Sequence, residues 1–200
     1  YVVYRMNTAT APYLYQHSNN ASGIFAIGAG SNQMLAGGRN SNFTVISRGE
    51  TRLQSIQADA SSGGLVESRV NGTSVSTSLT GTGPNTAGTQ AFNVGGGASN
   101  ALSASEIAEI IVFPNDDNTN NERQRVESYL AAKYGITLPF SYMASDSSVF
   151  WNIGANTAYN NNITVIGRDD ASGLNQKQAI SINAGSKVIQ SFEIATIKAI

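Results

Sequence analysis

Between Ala108 and Pro139 the chain runs AEIIVFPNDDNTNNERQRVESYLAAKYGITLP, and only here do strand and helix signals meet with clear punctuation. AEIIVF has the β-branched and aromatic content of a buried strand, and Pro114 then removes a ladder donor. Thr119 and Glu122 have the spacing of a capping box, in which the hydroxyl reaches the amide three residues on and the carboxylate reaches back. A helix is therefore expected to begin near Asn120. Val126, Tyr129, Leu130, Lys133 and Tyr134 follow at i, i+3, i+4, i+7 and i+8, one stripe of a 3.6-residue period and the face expected to pack. Gly135 stands where a left-handed residue closes a helix, Ile136 can cover the last turn, and Pro139 prevents resumption. The expected helix is about 15 residues long, or ~22 Å.

Everything on either side reads as β, which leaves no crossover helix to make a sheet parallel. Short strands are expected at 1–5, 23–27, 42–47, 91–94, 148–151, 163–166, 179–183 and 187–197, with turn residues between them and Pro12 interrupting the segment before Tyr-Leu-Tyr at 13–15. That spacing is the pattern of a sandwich or barrel. The sharpest local signal is LVESRVNGTSVSTSL at 65–79, where Asn71-Gly72 supplies the two positive-φ residues of a type I′ hairpin turn. Asn160 to Asn162 and GRDDASG at 167–173 are expected as breaks between the later strands.

Charged residues make up 12% of the 200 residues and the formal net charge is −1, so the chain lacks the basic footprint of a nucleic-acid binder or of a protein drawn to an anionic membrane. No run of about 18 apolar residues is present, and no membrane insertion is expected. With zero cysteines, the fold owes nothing to disulfides or thiolate metal sites. The chain opens on YVVY and closes on IATIKAI, both of which read as strands cut into, so it is expected to be part of a larger chain.

The order of signals, an NG hairpin, FNVGG, EIAEIIVF and then ERQRVESYLAAKYGITL, resembles the laminin-G-like, concanavalin A-like jelly-roll modules of large secreted and cell-surface proteins of the Bacteroidetes type. SDSSVFW, IGRDDASGLNQKQ and the serine-bearing strand that follows, within 145–181, resemble the β region that often succeeds such a module. The resemblance implies an all-β fold: an antiparallel jelly-roll sandwich with one capped α-helix and a further C-terminal β segment. The expected organisation is a sandwich over 1–117, a helix and connector over 118–138, and a β region over 139–200. The resemblance also implies an extracellular or cell-surface address, export by the type IX secretion route, and a use in adhesion or gliding, with a glycan or a cell-surface protein as partner.

Fold does not fix function, so the chemistry has to come from the residues. A glycan hydrolase needs two carboxylates about 5–5.5 Å apart for retention or about 6.5–9.5 Å apart for inversion. Glu106 and Glu109 are the close pair on a strand, and their odd spacing is expected to send them to opposite faces. The enzyme reading is set aside on that ground. Calcium is the one cofactor weighed. DDNTNNERQRVE places Asp116, Asn118, Asn120, Glu122 and Glu127 at positions 1, 3, 5, 7 and 12 of a calcium loop, but Asn121 sits where glycine is needed and the capping box accounts for the same residues. Asp169 and Asp170, with Asn175 nearby, are a second oxygen-rich cluster whose simpler explanation is a set of Asx turns.

Sugar binding needs an exposed aromatic beside amides. Tyr13, Tyr15, Trp151 and Tyr159 are available, although Trp151 between Val149, Phe150 and Ile153 reads as core. His17, the single histidine, has no visible triad or zinc partner. The sequons at Asn20, Asn42, Asn71 and Asn162 follow from an Asn- and Thr-rich composition. The leading expectation is a non-catalytic extracellular recognition or adhesion module, with a spacer or surface-filament subunit as the alternative and a polysaccharide hydrolase third.

Overall fold

The computed structural model describes residues 1–6, 15–17, 25–27, 33–36, 39–42, 49–59, 64–75, 92–94, 105–113, 119–170, 173–183 and 185–191. The chain forms two compact units, Tyr1–Asn118 and Thr119–Ile200. The first contains β1 (Val2–Met6), β2 (Tyr15–His17), β3 (Phe25–Ile27), β4 (Gln33–Ala36), β5 (Arg39–Asn42), β6 (Thr51–Asp59), β7 (Gly64–Val70), β8 (Thr73–Ser74), β9 (Phe92–Val94) and β10 (Ser105–Ile110). They form two five-stranded sheets, ordered β10-β1-β6-β7-β8 and β5-β4-β3-β2-β9, and the chain passes back and forth between them. Every pairing is antiparallel.

The first sheet is built around β6, a strand that no alternation in TRLQSIQAD announces. The reason lies in what it buries. Leu53 and Gln54 are both fully enclosed although they point to opposite faces, and Ser55 beside them is buried too. Gln54 is satisfied across the strands: Tyr4 Oη donates to its Oε1 at 3.3 Å, and its Nε2 donates to Ser68 Oγ at 3.4 Å. A buried amide that keeps both ends partnered is tolerated where an unpaired one costs about 1–3 kcal/mol. Burial pushes the Tyr4 hydroxyl up to about 12, with the Arg52 charge working against it.

The Asn71-Gly72 hairpin is present as expected, with φ of 49° and 78°. Asn71 does more than turn the chain. Its backbone N–H donates to Leu53 O at 2.8 Å and its Oδ1 accepts from Leu53 N at 2.9 Å, so the side chain extends the β6–β7 ladder past its last strand residue.

Two expectations for 106–113 change. β10 is an edge strand, and the AEIIVF segment is not a buried one: Val112 and Phe113 are 66% and 48% exposed. Phe113 instead meets the ring of Tyr1 edge-on at 5.9 Å. The register also shifts between Val3 and Tyr4, with Ala108 as the extra residue. Val3 stands opposite Glu109 and Arg5 opposite Glu106. Val3 and Arg5 share a face of β1, so Glu106 and Glu109 share one as well, and simple counting along the strand misplaces them.

The second unit contains α1 (Asn120–Tyr134), β11 (Tyr142–Met143), β12 (Val149–Trp151), β13 (Gly167–Asp169), β14 (Leu174–Gln176), β15 (Gln178–Asn183) and β16 (Ser186–Ser191), the strands joined as three antiparallel hairpins. The helix has the expected bounds. Glu122 N donates to Thr119 Oγ1 at 3.3 Å and Thr119 N to Glu122 Oε2 at 2.7 Å, completing the capping box. Those bonds from Thr119, backbone first, hold the Glu122 carboxyl below its ordinary range. Gly135 closes the helix at φ 62°. Expected as part of a connector, the helix is the opening element of the second unit and packs on β11 and β15.

Its buried face is not the expected aromatic stripe. Val126, Tyr129, Lys133 and Tyr134 are half-buried, while Arg123, Glu127, Ser128, Leu130, Ala131 and Ala132 are enclosed. Ser128, Ala131, Ala132 and Gly135 make a strip of small residues, which lets strands approach the helix closely. Ser128 Oγ accepts Met143 N at 3.0 Å, and a Cβ placed on Gly135 would lie 2.7 Å from Ser181 Cα.

The expected strand at 163–166 is irregular, since its backbone is used by other partners. Val165 N donates to Ala132 O at 3.1 Å at the helix end, and Val165 O accepts Gln176 Nε2. GRDDASG, expected as a break, instead supplies β13 of the β13–β14 hairpin. The expected strand segments at 23–24, 43–47 and 192–197, and position 91, lie outside the described residues.

Candidate functional site

An aromatic residue 73% exposed, Tyr159, stands on the segment after β12, and the order beneath it begins with Tyr142. Tyr142 is fully buried; its hydroxyl donates to Ile136 O at 2.8 Å and accepts from Leu138 N at 3.2 Å. Burial raises its pKa. β11 and β12 pair with a register shift that makes Phe150 the extra residue, and Phe150 packs at a tilt against Tyr142 with ring centroids 6.0 Å apart.

From Ser147 to Gly167 the chain has no charged residue and no histidine, but it has five asparagines. Most of these amides serve the loop itself. Asn152 Oδ1 accepts Ala155 N at 3.1 Å, and Asn152 O accepts both Asn156 N at 3.1 Å and Asn156 Nδ2 at 2.8 Å. Asn160 spans the loop: its Nδ2 donates to Ile153 O at 2.8 Å and its Oδ1 accepts Trp151 Nε1 at 3.0 Å. Ile153 N donates to Ser141 Oγ at 3.3 Å and Asn162 N to Thr137 Oγ1 at 2.9 Å, which ties the loop to the segment after α1. On this frame Tyr159 N donates to Asn156 O at 2.8 Å while the side chain is 73% exposed. Val149 and Phe150 are 50% and 42% exposed.

Trp151 was expected as core, flanked by Val149 and Phe150. Only Trp151 is partly withdrawn, and its indole N–H is committed to Asn160. The surface that results combines an outstanding phenol ring, further apolar area on β12, and neutral amides and hydroxyls on a backbone already fixed by internal bonds. The sequence signal for it was the coincidence of missing charge, repeated asparagine and aromatic residues.

In the oxygen-rich cluster at 169–175, both aspartates are engaged by protein partners. Asp169 Oδ2 accepts Ser145 N at 3.0 Å and its Oδ1 accepts Ser145 Oγ at 2.7 Å, while Arg125 Nη1 donates to Ser145 O. Asp170 pairs with Arg168 on the surface. Asp169 stands opposite Leu174 and Asn175 opposite Arg168, so Asp169 and Asn175 lie on opposite faces of the β13–β14 hairpin. Asp146, near Asp169, is held below the ordinary carboxylate range by the Ser148 side chain and amide, against the repulsion of Asp169. Among the described residues no group of three or more His, Asp or Glu side chains is placed to hold a metal ion. Asp116 and Asn118 lie outside the described residues, and Glu127 is fully buried in the helix.

Glu106 and Glu109 share a face, yet the row through Glu109 continues into Val3 and Leu53, both with no exposed surface. Glu109 itself is half-buried and Glu106 is exposed. Tyr15 and His17 lie on β2 and Asn42 on β5; Tyr13 and Asn20 fall outside the described residues. No described helix is long and apolar enough to cross a membrane.

Residues 122–199 match the model of a family described as a domain of unknown function, DUF8202. The match runs from the first turn of α1 through the hairpins that pack with it, and so falls within the second unit. No curated protein and no solved structure matches the chain.

Proposed function

We propose that this chain is a non-catalytic recognition or adhesion module of a large secreted or cell-surface bacterial protein, a jelly-roll sandwich followed by a helix-led β unit, and that its ligand is a glycan. The observation that carries the reading is Tyr159, 73% exposed on a loop whose amides hold its backbone in place. A rigid aromatic ring gives contact area at little conformational cost, and ordered neighbours reduce what binding must immobilise. Catalysis has less support: the glutamate pair needs an open cleft over both carboxylates, and Glu109 is half-buried beside Val3, which has no exposed surface. A glycan array probed with the full chain, followed by titration of the hits, tests the reading. Binding in the micromolar to millimolar range is expected, and silence across the array at about millimolar concentration contradicts it.

One observation favours the alternative, a spacer or filament subunit. Ile180 and Ile189 stand opposite each other on one face of the β15–β16 hairpin with Ile182 beside them, and Ile182 and Ile189 are 47% and 62% exposed. A module that only docks onto its neighbours needs such a face. Tandem copies of the unit in the parent chain, with no glycan bound, would favour it.

A further inference from the structure

We infer that the glycan recognised is an uncharged one, seated on the 149–162 loop with the Tyr159 ring as its platform; this rests on the recognition reading above. The loop's lack of charge decides the class. A uronate or sulfated sugar gives up hydration when it meets a protein surface, and the loss is made good by charge-assisted hydrogen bonds from arginine or lysine. No such donor occurs from Ser147 to Gly167; the charged residues flanking that span in sequence are Asp146, an anion, and Arg168, whose guanidinium is paired with Asp170. The loop's outside anchors, Thr137 and Ser141, are neutral as well.

What the surface offers is suited to a pyranose without charge. The ring face of Tyr159 can take the apolar C–H face of a sugar, and its hydroxyl stands at the edge of that contact. Asn161 and Thr157 are exposed within two residues of it and supply neutral donors and acceptors for ring hydroxyls. Asn152, Asn156 and Asn160 are spent on the loop itself and hold these groups in position. Such contacts are each modest, so affinity grows with repeated units of a polymer.

The test uses the full chain against dextran, glucomannan and xylan on one side and polygalacturonate and chondroitin sulfate on the other, by affinity electrophoresis and calorimetry at about 0.1 M and about 1 M NaCl. Expected is binding to at least one neutral polymer, unchanged by salt, weakened about tenfold or more by Tyr159→Ala and largely kept by Tyr159→Phe. Circular dichroism of both variants confirms an unchanged fold. Preference for the polyanions with binding that falls in high salt overturns the inference and leaves the recognition reading standing. Neutral binding that survives Tyr159→Ala at full strength overturns the site. Binding to neither class removes both.

Discussion

Gly135 carries two demands that no other residue meets at once. Its φ of 62° lies where a Cβ is strained, and a Cβ there would fall 2.7 Å from Ser181 Cα, a backbone atom that cannot swing aside. Gly135→Ala is expected to cost about 2–4 kcal/mol, read as a lowered denaturant midpoint for the second unit. Tyr4 gives a prediction of a different kind. Its hydroxyl ionises near 12 in the folded chain against 10.0 when free, so the folded state holds the proton more tightly. That contribution is whole below pH 10 and is lost as the pH rises towards 12, a change of about 2–3 kcal/mol. Urea midpoints of the first unit should therefore fall across this window. In Tyr4→Phe the fall should be shallower, from a lower starting point, because Gln54 Oε1 loses its donor.

At the scale of elements, the helix shows how local signals and packing separate. The capping box and the closing glycine lie within a few residues of each other, so sequence spacing alone specifies where the helix starts and stops. Which face packs depends on what arrives from elsewhere. β11 and β15 approach the strip of Ser128, Ala131 and Ala132, where small side chains admit a strand backbone; the bulkier Tyr129 and Tyr134 are left at the margin with Lys133 over both rings. Ala132→Leu should accordingly destabilise the second unit by about 1–3 kcal/mol, and Val126→Ala, on the stripe that periodicity favours, by about 1 kcal/mol or less. A larger loss at Val126 than at Ala132 would contradict this assignment of the packed face. The β10 bulge makes the same point for a strand: one extra residue at Ala108 brings Glu106 and Glu109 onto one face, and nothing in SEIAEI announces it.

For the molecule as a whole, the family match over 122–199 and the boundary at 118/119 coincide on a helix-led second unit. Its helix is anchored from within, by Met143 on Ser128, Val165 on Ala132 and Tyr142 on the residues after the helix. Calcium enters at this scale, because a cation that binds only the folded chain must raise its midpoint. With both Asp169 oxygens satisfied by Ser145 and Asp170 paired with Arg168, a chelator is expected to leave the melting midpoints unchanged. A fall on adding chelator, reversed by calcium, would restore the cation.

The sequence by itself determined the features whose physics is short-ranged: the antiparallel β character, the Asn71-Gly72 turn, and the helix from its Thr119 cap to Gly135. Each depends on backbone preference or on a hydrogen bond spanning a few residues. Tertiary structure decided what depends on non-local partners. Strand β6 is polar enough to pass for loop and lies within the first sheet because Tyr4 and Ser68, from two other strands, satisfy Gln54. Ile163 to Ile166 has the composition of a strand yet gives its backbone to the helix end and to Gln176. Phe150 and Val149 have the composition of core and remain at the surface, and Tyr159 stands exposed on a loop in which Asn152, Asn156 and Asn160 bond to the loop's own backbone and indole. Burial is a property of what else arrives at a place, and no spacing along the chain encodes it.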